Sequence, residues 1–221
     1  VEDPGVFDAT HGLLGKLIER GSVQAVRIDH PDGLFDPARY FDMLQGLGNG
    51  ELYVLAEKIL SSQESLPARW AVAGTTGYSF LNELNGLFIS RTDARRMLSA
   101  YAKLTGQIET FEDVRCESKR LIMATAMASE LNVLAHALER IADGNRRSRD
   151  FTLNSLRDTL TEVIAFFPVY RTYVDDQGWT PEDRAVVDQA ITRARRRNPA
   201  MESSLFDFFR EVMLPRSPEG A

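Results

Sequence analysis

Three ionisable residues lie on or directly after a short β-prone stretch near the start of the chain. In AVRIDHPDGL, residues 25–34, a strand-like run carries Arg27 and ends in Asp29 and His30 before a Pro-Asp-Gly turn. A strand that only holds a sheet together has no need of ionisable groups at its exit. We therefore expect this strand to present an active site.

A second strand-like stretch also ends in a carboxylate. The apolar run 52–56 leads into Glu57 and Lys58, and Glu57 follows Asp29 by 28 residues. Sites in parallel β/α arrays lie at the carboxyl ends of the strands, and neighbouring strands lie about 4.8 Å apart. Two acids at the same level would therefore face each other over a few ångströms. Retaining glycoside hydrolysis needs such a pair, about 5–5.5 Å apart.

The neighbours of the two acids suggest different roles for them. Arg27 lies two residues before Asp29 and so on the same face of a strand, where it would keep that carboxyl ionised for nucleophilic attack. The apolar residues before Glu57 would favour its protonated form, as a general acid requires. The spacing leaves alternatives open, because a strand-end Asp is often a helix cap or turn former. Glu57 and Lys58 could equally form a surface ion pair.

The surrounding sequence predicts a parallel sheet with crossover helices. Helical spacing from Pro4 to Gly21 precedes the first strand, and Asp36 with Pro37 is a strong helix start before the second. The order helix, strand, helix, strand is typical of parallel β/α folds. Farther on, 74–77 (GTTG) predicts a loop and 80–88 a short helix.

From about residue 91 the sequence is almost wholly helical. Periodic apolar residues predict helices over 93–104, 111–142, 151–167, 180–198 and 203–214. The 111–142 segment is expected to be one long helical stretch that ends at Gly144, and Thr180, Pro181 and Asp183 mark the start of another. We therefore predict two parts, a β/α segment at 1–90 and a helical domain at 91–221.

Composition excludes several classes of protein. The chain of 221 residues is 43% hydrophobic and carries a net charge of −6, which argues against a nucleic-acid partner. It has no apolar run near the ~18 residues that span a membrane, and its one cysteine, Cys116, fits a cytoplasmic setting. The three histidines are too scattered for a metal set, and no cofactor is expected. The chain opens on VEDPG without Met, so we expect a segment of something longer.

Several motifs together resemble one enzyme family. VRIDH and AEKIL resemble the second and third signature regions of the α-amylase superfamily. The wider set more closely resembles the maltooligosyltrehalose synthases of glycoside hydrolase family 13. That set is VRIDHPDGLFDP, VLAEKIL, VAGTTGYSFLN, RCESKRL, SELNVLA, FTLNSLRD, FPVYRTYV and RRNPAMESSLFDF. These enzymes isomerise the reducing-end α-1,4 link of a maltooligosaccharide to an α,α-1,1 link, a step of trehalose biosynthesis.

The resemblance implies a fold and a set of roles. The fold would be α/β by origin and mainly α by content: an incomplete (β/α)8 TIM-barrel segment followed by a helical insertion. Asp29 would be the nucleophile, Glu57 the general acid/base, Arg27 the support of the nucleophile and His30 a sugar contact. The family's first and fourth signature regions would lie outside this chain, and with them the third catalytic carboxylate. The chain alone is therefore expected to be inactive, and its severed strand edges are expected to drive self-association.

Two further side chains are candidates for the α-1,4-glucan substrate. Tyr78, with Phe80, could stack on a sugar or be an ordinary core aromatic, and Lys58 could bind a sugar hydroxyl or neutralise Glu57. Two other functions remain open at this stage. One is plain α-glucan hydrolysis, and the other is a helical binding module without catalysis.

Overall fold

The structure is a computed structural model that describes residues 1–61, 64–176 and 178–215. Contacts within the chain define two compact units, Val1–Ala94 and a second that begins at Arg95. The sequence predicted the division after residue 90. The roles given to the two parts, a barrel segment and an insertion domain, stay predictions.

The first unit has the predicted order of helices and strands. Its elements are α1 (Pro4–Glu19), β1 (Ala25–Ile28), a short 3-10 helix (Pro31–Gly33), α2 (Pro37–Gly46), β2 (Tyr53–Ala56), β3 (Gly74–Thr75) and α3 (Tyr78–Gly86). Asp36 caps α2 as expected, because its carboxylate accepts the backbone N–H of Arg39. The helix, strand, helix, strand prediction is therefore confirmed.

The strands form one parallel sheet in the order β1-β2-β3. Ala25 pairs with Tyr53 and Ile28 with Ala56, so β1 and β2 match along their whole length. The prediction of a loop at 74–77 is wrong for its first two residues, since Gly74 and Thr75 are β3 and pair with β2. A strand of two residues is too short to leave a hydrophobic alternation in the sequence.

One face of the sheet is covered and the other is open. Along β2, Val54 and Ala56 are fully buried whereas Tyr53 is 55% exposed. The end of α2 is fixed to the sheet side of the unit by Gln45, whose side-chain amide donates to the carbonyls of Leu52 and Ala71. These two bonds hold the end of α2 beside the residue that precedes β2.

The second unit consists of helices. These are α4 (Ala94–Thr105), α5 (Phe111–Ala124), α6 (Ala128–Asp143), α7 (Leu153–Phe166), α8 (Pro181–Arg197) and α9 (Ser203–Met213). Helix α7 packs against α5, α6, α8 and α9. Its fully buried residues include Leu156 and Val163, which join a single apolar core with Phe206 and Phe209 of α9.

The prediction of one helical stretch over 111–142 is wrong. The chain leaves the helix at Thr125 and enters α6 after Met127, and the two helices are bent by 86°. Neither Gly nor Pro lies at the break, and both helices pack on α7. In the described ranges no single helix is long and apolar enough to cross a membrane; α5 and α6 pass that test only as a bent pair.

Candidate active site at the carboxyl edge of the sheet

Asp29 and Glu57 occupy equivalent positions at one edge of the sheet. Each is the first residue after its strand, and the last residues of the two strands, Ile28 and Ala56, are paired. The backbone N–H of Glu57 donates to the carbonyl of Ile28 over 2.8 Å, which extends the ladder past the end of β2. The backbones of the two acids are therefore held side by side.

Asp29 forms an ion pair with Arg27, the arginine that the sequence predicts to lie beside it. Arg27 Nη2 lies 2.7 Å from Asp29 Oδ1, with the two side chains 52% and 73% exposed. A pair this exposed adds little to the stability of the fold, since water screens it. Its effect is instead to orient a carboxylate that remains open to a ligand.

His30 links the two strand exits through its backbone. Its φ of 47° is in the left-handed region, which is uncommon for a residue other than glycine. In that conformation its N–H points to Glu57 and donates to Oε2 over 3.3 Å. Its imidazole lies over Gly33, where a Cβ would approach ring atom Cδ2 to 2.8 Å. Gly33 therefore allows the tight turn that places His30 beside Glu57.

Lys58 is not at the open edge of the sheet. Its side chain is 0% exposed, and its ammonium binds Asp32 at 3.1 Å and Glu64 at 2.8 Å. The alternation of β2 continues past the strand, so that Lys58 shares the covered side with Val54 and Ala56. The alternative of an exposed Glu57–Lys58 surface pair is therefore wrong. The contacts with Asp32 and Glu64 also favour a structural role for Lys58 over sugar binding.

Tyr78 begins α3, directly after the left-handed Gly77. The Tyr78 side chain is 38% exposed and Phe80 is 68% exposed, so both rings are accessible. Among the described residues, hydrogen bonds at the sheet edge join Arg27 to Asp29 and His30 to Glu57. Neither bond involves Tyr78. Its part in substrate binding stays a prediction.

The remaining histidines have structural surroundings. His11 stacks on Phe7 at 4.0 Å and shares a hydrogen bond of 2.9 Å with the hydroxyl of Tyr40, whose pKa is raised by burial. His136 lies 3.2 Å from Glu139 within α6. Over the described part of the chain, no group of three or more His, Cys, Asp or Glu side chains could hold a metal ion.

The sequence did not predict the link between His30 and Glu57 or the burial of Lys58. The link depends on a left-handed residue between Asp29 and a proline, and the only sequence signal for it is the tight HPDG turn. Lysine is almost never fully buried unless paired, and its partners here are 26 and 6 residues away in the chain. No local pattern connects groups at such separations.

Comparison with known proteins gives consistent matches. No protein-family model matches the chain. Over 88 residues, 40% of this chain and 12% of theirs, it is 40% identical to proteins of Mycobacterium tuberculosis strains CDC 1551 and H37Rv named "Putative maltooligosyl trehalose synthase". The chain thus matches about an eighth of the length of these curated relatives.

Solved structures match over nearly the whole chain. The maltooligosyltrehalose synthase of Arthrobacter ramosus superposes with a TM-score of 0.77 at 28% identity, over 96% of this chain and 26% of that one. A Sulfolobus tokodaii protein described as a hypothetical maltooligosyl trehalose synthase superposes with a TM-score of 0.66 at 25% identity, over 95% and 26%. These matches confirm the resemblance found in the sequence: the chain is similar to a partial segment of the maltooligosyltrehalose synthases, which are enzymes.

Proposed function

We propose that this chain is the part of a maltooligosyltrehalose synthase that supplies two of its catalytic carboxylates. The enzyme would convert the reducing-end α-1,4 link of a maltooligosaccharide to an α,α-1,1 link. The observation that carries this proposal is the placement of Asp29 and Glu57 at equivalent positions, directly after two paired parallel strands. The similarity to the maltooligosyltrehalose synthases described above supports the same assignment.

The two acids have surroundings that suit a double displacement. Asp29 is exposed and oriented by Arg27, so its carboxylate can attack the anomeric carbon and form a covalent glycosyl intermediate. As the bond to O4 of the last glucose breaks, Glu57 donates its proton to that oxygen. The released glucose turns, and its anomeric hydroxyl attacks the intermediate while Glu57 takes up the proton. No water is consumed, so the site must exclude it.

The fold would extend beyond the described strands. The three parallel strands and their helices would form part of a (β/α)8 barrel, with the helical unit as an insertion and the third carboxylate outside this chain. The open face of the sheet, which carries Arg27 and Asp29, would then line the barrel interior. His30 and Tyr78 would contact the sugar. The outer strands β1 and β3 support the expectation that the isolated chain self-associates, and a cytoplasmic location fits the substrate.

The test is an assay on the full-length protein that contains this segment, with maltopentaose as substrate. We expect reducing ends to disappear without release of glucose, whereas hydrolysis would increase the reducing ends. Replacing Glu57→Gln should lower kcat by about 10²–10⁴-fold, because proton transfer to O4 is lost. The 221-residue chain alone should have no activity, since it spans about a quarter of the solved synthases.

Glu51→Gln is the matched control. Glu51 is an exposed glutamate just before the opposite end of β2, so its replacement should leave kcat unchanged. Reducing ends that increase would assign the protein to glucan hydrolysis instead. A Glu57→Gln variant with full activity would remove the basis of the proposal.

A further inference from the structure

A fully buried lysine lies next to the proposed acid/base. Lys58 follows Glu57 directly, and its ammonium is enclosed between the carboxylates of Asp32 and Glu64, which are 9% and 10% exposed. Asp32 belongs to the 3-10 helix that follows β1, three residues after Asp29. The ion pair therefore joins the exit of β2 to the exit of β1.

Two adjacent residues thus hold the same turn from different sides of the sheet. The Glu57 carboxylate accepts the N–H of His30, where the turn begins, and the Lys58 ammonium binds Asp32, two residues on. Glu57 is partly exposed and Lys58 is buried. Any shift of the 3-10 helix would move the His30 amide, and the Glu57 carboxylate would lose the donor that orients it.

Stability alone does not account for this cluster. Removing charges from water is costly, and a buried ion pair can often be replaced by apolar residues without loss of stability. Here a fully buried ammonium is enclosed by two largely buried carboxylates, so three charged groups are removed from water. What the cluster does provide is a direct link between the residues that follow β2 and the 3-10 helix that follows β1.

We propose that Lys58, with Asp32 and Glu64, is a positioning residue that holds the His30 turn and thereby the Glu57 carboxylate in its working place. This inference depends on the proposed function only for the role of Glu57. It replaces sugar binding as the role of Lys58, because an ammonium with no exposed surface and two carboxylate partners does not reach a sugar.

The first readout is hydrogen exchange in the full-length protein, followed by mass spectrometry of peptides that cover 28–35. Lys58→Met should speed exchange there by about tenfold or more, because the amides of Gly33 and Leu34 are bonded within the turn. Lys119→Met is the matched control. That lysine donates to the carbonyls of Ile164 and Phe167, so exchange should change around 160–168 and not in 28–35.

The second readout is kinetic. We expect Lys58→Met to lower kcat by about 10²-fold through misplacement of the acid, with KM changed less than about threefold. A direct sugar contact would instead raise KM and leave kcat unchanged, and that result would overturn the inference. Unchanged exchange over 28–35 would overturn it as well, whether or not the protein is a synthase.

A third variant separates positioning from stability. Lys58→Met leaves two carboxylates buried without their cation, which should lower Tm by about 10 °C and could prevent folding. The triple variant Lys58→Met, Asp32→Asn, Glu64→Gln removes all three charges and should regain most of that Tm. If the cluster positions Glu57, kcat stays low in the triple variant. If kcat returns together with Tm, the cluster only stabilises the fold and the inference fails.

An unsubstituted protein without activity would refute the proposed function. The hydrogen-exchange result would still decide whether Lys58 holds the His30 turn.

Discussion

The sheet edge of the first unit and the packed helices of the second unit use their charged side chains differently. At the sheet edge Arg27 and Asp29 form a pair in which both partners are mostly in solvent. In the helical unit Glu162 accepts two bonds from Arg120, of 2.8 and 2.7 Å, and one of 2.6 Å from Asn198, and its side chain is 13% exposed. The Asp29 carboxylate is thus held by one arginine and remains exposed to solvent. The Glu162 carboxylate is instead largely buried and accepts hydrogen bonds from side chains outside its own helix.

The helical unit repeats this pattern at other positions. Lys119 donates to two carbonyls at the end of α7, and burial lowers the pKa of its ammonium. Asp188 of α8 binds Arg210 of α9, and the hydrogen bond from Arg210 holds the pKa of Asp188 below its usual range. In the helical unit, charged groups that are hydrogen-bonded within the fold stabilise the structure. Those left open on a rigid edge, such as Asp29, are the candidates for chemistry.

The strongest test of this contrast is Asp29→Asn in the full-length protein. If Asp29 is the nucleophile as proposed, this substitution should reduce kcat by about 10⁴-fold or more, because the covalent step cannot occur. Tm should change by no more than about 2–4 °C, since an exposed ion pair contributes about 1 kcal/mol at most. The measurements are the maltopentaose assay and thermal unfolding of the same preparation.

Asp158→Asn is the control for that substitution. Asp158 is also exposed and also lies beside an arginine, Arg157, but on α7 in the helical unit. We expect neither activity nor Tm to change. A large fall in Tm for Asp29→Asn would show that the open pair is structural, and the contrast between the units would disappear.

Glu162→Gln tests the other side of this comparison, the buried carboxylate of the helical unit, and should lower the stability of that unit. A hydrogen bond to a charged group contributes about 1.5–3 kcal/mol, so we expect the free energy of unfolding of the helical unit to fall by about 2 kcal/mol. Trp179 emission during urea unfolding, in a Trp70→Phe background, reports this unit. Glu139→Gln, on the surface of α6, should have no effect.

The same substitution should also change the pH dependence of unfolding. Burial raises the pKa of Glu162, but the hydrogen bonds from Arg120 and Asn198 and the charge of Arg120 outweigh burial and lower it. A pKa lowered by folding gives stability that is present above the unfolded value, about 4.3, and is lost as pH falls through the folded value. The difference between wild type and Glu162→Gln should therefore shrink below about pH 4. A difference that is constant from pH 7 to 3 would contradict this account.

Local signals predicted many of the element ends correctly. Asp36 with Pro37 starts α2, Thr180 with Pro181 starts α8, and Gly144 ends α6. Each of these signals acts through one or two bonds to a nearby backbone group, so the sequence alone contains the information. The equivalence of Asp29 and Glu57 could also be predicted, since parallel strands of equal length end at one edge of a sheet.

Features that depend on distant partners could not be predicted. The break between α5 and α6 has neither Gly nor Pro to mark it, and both helices pack on α7, which lies farther along the chain. Lys58 reads as a surface lysine because its partner Asp32 is 26 residues away. The candidate site was therefore predictable in its two acids but not in the contacts that hold Glu57.

The smallest expected effect concerns a cap of the helical unit, Thr180. Its side chain accepts the N–H of Asp183, and the Asp183 carboxylate accepts the N–H and hydroxyl of Thr180 in return, a full capping box. Thr180→Ala should lower the free energy of unfolding by about 1 kcal/mol, and Thr180→Ser, which keeps the hydroxyl, by less. Urea unfolding in the same Trp70→Phe background, followed by Trp179 emission, measures both free-energy changes.

This small effect also bears on the larger contrast between the units. Asp183 is 6% exposed and also accepts the N–H of Tyr173, so it is another carboxylate whose bonding is used within the fold. If such groups only stabilise structure, Thr180→Ala should leave kcat and KM unchanged in the full-length protein although it weakens the helical unit. A change in kcat or KM for Thr180→Ala, with no change for Thr180→Ser, would contradict this account, because the capping box would then do more than stabilise its helix.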